Sequence, residues 1–346
     1  MKSPPHFEIP QQSRQEIADI KVDITVILCT FNRCRSLAKA LDSVAASTLP
    51  ESVQWDVLVV DNNSSDQTRE RVEDACRRYP GRFRYLFEVR QGKSYALNAA
   101  IQAANGEVLA FMDDDVTVEP TWLHNLYASL RDSDWSGVGG RILAERSLSL
   151  PNWLSAENPY LLPPLAIFDR GSEAAELTEP PVGTNMAFRK SMFVKYGDFR
   201  TDLGPCPGSE IRNEDSEFGS RLLAGGERLW YEPSAIVYHS VSDHRLRKEY
   251  LLTWWFDKGR SDIRACGVPP GAWRAISGIP LQLFLRLARW TLQWVVTKNP
   301  ARRFECKIKV WVNAGLIVEC YRLWGRARRG KEKSGTENVA PAGLKP

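Results

Sequence analysis

The chain has 346 residues, 43% of them hydrophobic and 25% charged, enough apolar material for one large α/β domain or two smaller units. This average composition excludes collagen-like, low-complexity and disulfide-scaffold classes. Net charge is +4, yet residues 241–346 hold 21 Lys and Arg against 8 Asp and Glu, leaving 25 against 34 in the first 240.

A basic tail on an acidic body suits a polyanionic partner, either a membrane surface or nucleic acid. No zinc-finger spacing, RNP-like string or basic zipper is present, so nucleic acid is not the expected partner. The seven cysteines (Cys29, Cys34, Cys76, Cys206, Cys266, Cys306, Cys320) are odd in number and form no CxxC pair. Reduced thiols in a cytoplasmic protein fit that pattern better than a disulfide frame or a zinc site. The N-terminus lacks the apolar stretch of a signal peptide, and residues 1–20 read as a Pro-bearing flexible arm.

The elements then alternate. Asp23–Cys29 is a β-branched strand, and Ser36–Ala46 has helical apolar spacing. Trp55–Val60 is a second strand, followed by a helix over Asp66–Tyr79. Phe83–Phe87 is a third strand, Ser94–Ala104 a helix, and Glu107–Met112 a fourth strand. This alternation predicts a mostly parallel, Rossmann-like sheet flanked by helices. Ligands of such sheets bind beyond the carboxyl ends of the strands.

Residues 146–180 are Pro-rich and irregular, as functional or mobile connections often are. Val182–Phe188 and Arg228–His239 read as strands around a helix at Glu214–Ala224. From Leu251 the chain is helical, basic and Trp-rich, forming an extension over residues 246–330. Leu281–Val296 is apolar, but Arg286 and Arg289 interrupt it, short of a charge-free spanning run. Residues 331–346 read as a disordered tail.

Three strands end in polar clusters: Thr30-Phe31-Asn32-Arg33, Asp61-Asn62-Asn63-Ser64-Ser65-Asp66 and Asp113-Asp114-Asp115. In a parallel sheet these share one rim. Carboxylates closing an apolar strand are too costly to bury unpaired. The outer two of the aspartate triplet can point to one side of an extended segment, and hard oxygen ligands suit Mg²⁺ or Mn²⁺. A solvated acidic turn is the competing reading, and the rim position weakens it. Asp61 is placed either to receive a ribose or to cap an ordinary Asx-rich turn. Thr30 or Asn32 can cap a helix, and Lys93, after Gly92 at a helix start, either meets phosphate or stays solvated. Glu214, Asp215 and Glu217 open a helix whose dipole favours acids, and one of them can also serve as a general base. His239 ends a strand as either a structural residue or a third metal ligand.

Taken in order, ILCTFNR, VVDNNSSDQT, GKSYALNAAI, VLAFMDDDVTVEPTWL, VGTNMAFRKSMF and NEDSEFGSRLL resemble a family 2 glycosyltransferase of GT-A fold. The resemblance covers about residues 23–245, and the catalytic domain is expected over 21–245. It implies an inverting, metal-dependent enzyme that moves one sugar from a nucleotide-diphosphate sugar, UDP-linked by expectation, to an acceptor hydroxyl. A lipid-linked or surface-glycan precursor is the expected kind of acceptor.

By the same resemblance, Thr30, Asn32, Arg33 and Asp61 surround base and ribose, with Lys93 nearby. Asp113 and Asp115 correspond to the DxD-type motif for metal (Mn²⁺ or Mg²⁺) and diphosphate, with Asp114 between them. Asp215 matches the base, with Glu214 as the rival assignment. Gly183, Thr184 and Asn185 match a strand near donor sugar and acceptor, and His239 resembles a late histidine at the metal or diphosphate.

No QxxRW string is present; Arg286-Leu287-Ala288-Arg289-Trp290 has Arg where Gln is needed. With no clean spanning helix, single-sugar transfer is expected rather than processive synthesis. A nucleotidyltransferase would need a GxGxR-like loop where this chain has CTFNR, and a non-catalytic sugar-nucleotide-binding protein would have no need of the acidic positions. The basic extension, with Trp254, Trp255, Trp290 and Trp294, is expected either to dock on an anionic membrane from the cytoplasm or to pack on the catalytic domain.

Overall fold

Residues 23–268 and 275–336 are described by the computed structural model, so the expected N-terminal arm and the end of the expected tail lie outside the described residues. Strands β1 (Ile24–Thr30), β2 (Trp55–Asp61), β3 (Phe83–Phe87) and β4 (Val108–Asp113) pair in parallel in the order β3-β2-β1-β4. Their connections carry α1 (Cys34–Ala45), α2 (Thr68–Arg78) and α3 (Lys93–Ala103). β1 and β2 are apolar almost throughout because both of their faces are covered.

Alternate β1 residues divide the core. Val26 and Leu28 pack with α1, α2 and α4 (Trp122–Arg131), whereas Ile27 packs with α3 on the opposite face. That second face is closed by α5 (Lys190–Tyr196) and α6 (Glu214–Ala224), where the Phe193 and Phe218 rings stack 4.4 Å apart.

The parallel arrangement holds for the first half of the sheet and changes in the second. β5 (Val116–Val118), β6 (Gly137–Ala144), β7 (Ala175–Leu177), β8 (Asn185–Arg189) and β9 (Leu229–His239) complete it. β8 runs antiparallel to both β4 and β6, while β9 is parallel to β6 and antiparallel to β5 and β7. The 146–180 connection is irregular rather than a crossover helix, so nothing constrains β8 to run parallel.

That connection packs on the C-terminal helices. Leu154, Leu161 and Leu165 form a core with Val241, with Leu251 and Leu252 of α7 (Lys248–Cys266), and with Phe304 and Ile308 of α9 (Pro300–Thr336). Gly259 and Gly315 mark the crossing of α7 and α9. A Cβ at Gly259 would meet the Val312 carbonyl at 2.3 Å, and one at Gly315 the Phe256 carbonyl at 2.0 Å. The fully buried Glu319 accepts from Arg264 at 2.6 Å and Arg260 at 3.3 Å, closing the same interface.

A small hairpin, β10 (Ala275–Ile276) with β11 (Ile279–Pro280), leads into α8 (Leu281–Val296). The helix α9 continues to Thr336, past the boundary at 330 where disorder was expected. All seven cysteines are unpaired.

Candidate active site

Strand register builds the rim. Thr30 lies opposite Asp61, and Cys29 opposite Asp113, so the carboxyl ends of β1, β2 and β4 are level. On the far side of the site β5 pairs with β9 so that Val116 faces His239, which seats the histidine beside Asp115. The rim opens into a cleft of about 830 Å³ whose lining includes Thr30, Arg33, Lys93, all three aspartates, Glu214, Asp215 and His239.

The three aspartates have different partners. Asp113 accepts from Lys93 Nζ at 2.8 Å and from the Thr184 hydroxyl at 2.7 Å, which occupies both its oxygens. Burial opposes its charge, but Lys93 and Thr184 outweigh this and hold it below the usual carboxylate range. Asp114 points into the protein, accepting from Thr30 Oγ1 at 2.8 Å and Arg33 at 3.0 Å; burial raises its pKa to about 6 despite Arg33. Asp115 Oδ2 receives Arg33 at 2.9 Å and Arg245 at 3.2 Å, with His239 Nε2 at 3.5 Å. Burial again opposes ionisation, and His239 with the two arginines holds Asp115 well below the ordinary range.

A carboxylate oxygen and an imidazole nitrogen 3.5 Å apart are a donor set that suits Mn²⁺ or Mg²⁺, the remaining positions being left to phosphate oxygens and water. Among the described residues no group of three or more His, Cys, Asp or Glu has metal-binding geometry. The pair Asp115 and His239 therefore fits a cation that a substrate helps to hold, rather than an all-protein cage.

The next wall is made by two helix starts. Lys93 opens α3, and its ammonium also lies 3.6 Å from Glu214 Oε1 at the head of α6. Burial works to lower the Lys93 pKa, but the Asp113 and Glu214 carboxylates raise it well above the ordinary value. Glu214 is 4% exposed, and burial pushes its carboxyl up to about 7, with Lys93 pulling the other way. Asp215 is half-buried on the cleft wall. Its Oδ2 accepts the Gly183 N–H at 2.7 Å and its Oδ1 the Ser216 N–H at 2.7 Å.

Two residues expected around the base and ribose have their side chains engaged in the loops. Asn32 Oδ1 accepts the Ser65 N–H at 2.7 Å, tying the first loop to the second. Asp61 accepts the Ser64 N–H and the Tyr85 hydroxyl, both at 2.9 Å. The α1 start is capped from across the loop by Asp66, which accepts the Cys34 N–H at 3.0 Å. Thr184 meets Asp113, while Asn185 is fully buried and binds Trp122 Nε1 at 2.8 Å.

Sequence reasoning passed over three contributors to the cleft. Asn62 holds the second loop, donating to the Arg90 carbonyl at 2.7 Å and accepting the Gly92 N–H at 2.7 Å; the Asx-rich composition hinted at such turn chemistry. Arg245 reaches Asp115 from the 3₁₀ turn Asp243–Leu246, and nothing in its surroundings along the chain signals this. Trp254, expected among the membrane-facing aromatics, lines the cleft under Arg212, whose guanidinium carbon lies 5.2 Å from the ring.

Known proteins share this chain's sequence pattern and fold. The chain is 26% identical over 243 residues to a glucosyl-dolichyl phosphate glucuronosyltransferase of Haloferax volcanii, covering 69% of this chain and 75% of that protein. It is 27% identical over 246 residues to the succinoglycan biosynthesis protein ExoM of Rhizobium meliloti, covering 71% and 75%. Among solved structures, a mannosyltransferase of Pyrobaculum calidifontis, in complex with GDP-Man and Mn²⁺, superposes with a TM-score of 0.52 at 16% identity. That match covers 94% of this chain and 86% of the other, and it shows the shared GT-A fold. Residues 25–197 match the profile described as "Glycosyl transferase family 2". With strand ends, acidic triplet and helix-borne carboxylates meeting in one cleft, this chain belongs to glycosyl transferase family 2 and is a glycosyltransferase.

Proposed function

We propose that the protein transfers one sugar, with inversion, from a UDP-sugar to a hydroxyl of a lipid-linked or surface-glycan precursor. The observation that carries this reading is the meeting of Asp115, His239 and Asp215 in one cleft, supplied by three separate parts of the chain. The names of the two relatives, one acting on a dolichyl phosphate sugar and one in succinoglycan biosynthesis, support an acceptor of that class. A lipid-linked acceptor would set the enzyme at the inner face of the cell membrane.

Asp115 and His239 would hold a divalent cation, and the chemistry it would supply is Lewis-acid stabilisation of the charge developing on the departing diphosphate. Arg33 and Arg245, already directed at Asp115, are placed to turn onto phosphate oxygens, and Lys93 keeps its charge beside them. Thr30, Arg33 and Asn62 line the end of the cleft assigned to the nucleotide, where Asn32 and Asp61 act through the loops they fix.

Asp215 takes the proton of the acceptor hydroxyl. It lies half-exposed on the wall, whereas Glu214 is buried against Lys93. Attack by that hydroxyl on the sugar face opposite the diphosphate inverts the anomeric centre.

The test is a panel of UDP- and GDP-sugars in Mn²⁺, Mg²⁺ or EDTA, read by donor hydrolysis and thermal shift. The expected result is metal-dependent stabilisation and slow hydrolysis with a UDP-sugar. No response to any donor in either metal would refute the reading, and an axial-to-axial product by NMR would refute inversion.

A further inference from the structure

The helix α8 is apolar on two opposite sides. Its inner side carries Leu283, Leu287, Trp290 and Trp294, with Leu283 buried against Ile263, Ile279 and Cys320. Trp294 meets Trp311 edge-on at 6.2 Å, and Lys309 sits over the Trp290 ring at 4.2 Å, so both tryptophans are engaged with α9. The outer side carries Leu285, Leu292, Val295 and Val296, exposed by 64%, 65%, 64% and 62%.

At 100° per residue these four, with the exposed Ala288 between them, fall within an arc of roughly 100°. A water-facing helix has no need of such a stripe, and a contiguous exposed apolar patch marks an interaction surface.

The charge around the stripe selects its partner. Arg286 and Arg289 are exposed alongside it, and Lys298, Arg302 and Arg303 follow at the turn into α9. From Leu281 to Phe304 the chain has these five basic residues and no Asp or Glu. A second copy docking through the same face would bring like charges together. Among the described residues no helix is long and apolar enough to cross a membrane.

We propose that α8 lies on an anionic lipid surface, its outer stripe entering the boundary between headgroups and acyl chains while the arginines pair with lipid phosphates. This corrects the role of the tryptophans. Trp254 lines the cleft, Trp255 donates to the Tyr160 carbonyl at 2.8 Å, and Trp290 and Trp294 pack on α9, so leucine and valine are the residues that insert. The inference stands apart from the transferase reading, because none of these α8 residues lines the cleft.

The experiment is flotation of the full chain with phosphatidylcholine vesicles, with and without 30% phosphatidylglycerol. Binding is expected to the anionic vesicles and to weaken in 0.5 M NaCl. Leu285→Ser and Leu292→Ser should each weaken it about tenfold, leaving the melting temperature and soluble donor hydrolysis unchanged. Arg286→Gln with Arg289→Gln should reduce the preference for anionic vesicles, the remainder resting on Lys298, Arg302 and Arg303. Absence of flotation, or flotation that ignores both leucine substitutions, would overturn the proposal. So would a dimer in light scattering that Leu292→Ser dissociates, since the stripe would then be an interface between copies.

Discussion

The backbone N–H of Gly183 donates to Asp215 Oδ2 at 2.7 Å, so the loop leading into β8 holds the carboxylate at the head of α6. The two segments approach so closely that a Cβ at Gly183 would lie 2.8 Å from that same oxygen. Gly183→Ala should therefore turn the carboxylate and lower kcat by roughly tenfold to a hundredfold. Asp215→Asn keeps the shape but cannot take up a proton, and should lower kcat by about 10²–10⁴-fold. In both variants donor binding should survive, as steady-state kinetics and donor titration will report. A dead Glu214→Gln beside an active Asp215→Asn would transfer the role of base to Glu214.

Asp115 gathers Arg33, Arg245 and His239 on one oxygen, the place proposed for a cation. Asp115→Ala should abolish the Mn²⁺-dependent part of UDP binding in calorimetry and leave any weak EDTA-resistant binding in place. Unchanged affinity in Mn²⁺ would sink the assignment.

Glu214 offers a pH test. Its folded pKa of about 7 lies above the ordinary 4.5, so the folded state retains a proton that the unfolded chain has already lost. The resulting stability is fully present below pH 4.5 and disappears as pH rises to 7, an effect on the order of 3 kcal/mol. Asp114, raised to about 6, contributes the same sign in part of that window, so the comparison must be with Glu214→Gln. Denaturant unfolding between pH 5 and 8 should show a shallower decline in the variant. An identical decline would mean that Glu214 does not titrate there.

Glu319 is fully buried between Arg260 and Arg264 at the α7–α9 crossing. Glu319→Gln leaves Arg264 without its counter-charge, while Arg260 keeps Asp257 at 2.8 Å, and should cost about 3 kcal/mol in urea unfolding. Because α7 also carries Trp254 and Tyr250 into the cleft, the apparent KM for acceptor should rise as well. A variant as stable as the parent would show that the glycine crossing and the apolar contacts of Leu251 and Leu252 with Phe304 and Ile308 hold the helices without the buried charge.

The first four strands, their helices and the level row of polar strand ends were legible because apolar periodicity and turn chemistry are local properties. β5, with three residues, and β6, with the Gly-rich sequence GVGGRILA, carry no such local signal. They are strands because β9 lies between them to pair with.

The chain by itself determined that acidic residues would gather at one edge of a sheet, in the order of a family 2 glycosyltransferase. Tertiary structure decided how they divide the work. Asp113 meets Lys93 and Thr184, Asp114 turns inward to Thr30, and Asp115 meets a histidine that lies 124 residues further along the chain. Tertiary structure also placed Glu214 under burial and left its neighbour Asp215 at the cleft. On α8, apolar residues on two sides read in sequence like those of any buried helix. Only the packing of α9 against one of those sides left the other exposed. Which partner and how much water a side chain meets depends on contacts between distant segments, and these fix its charge and its role.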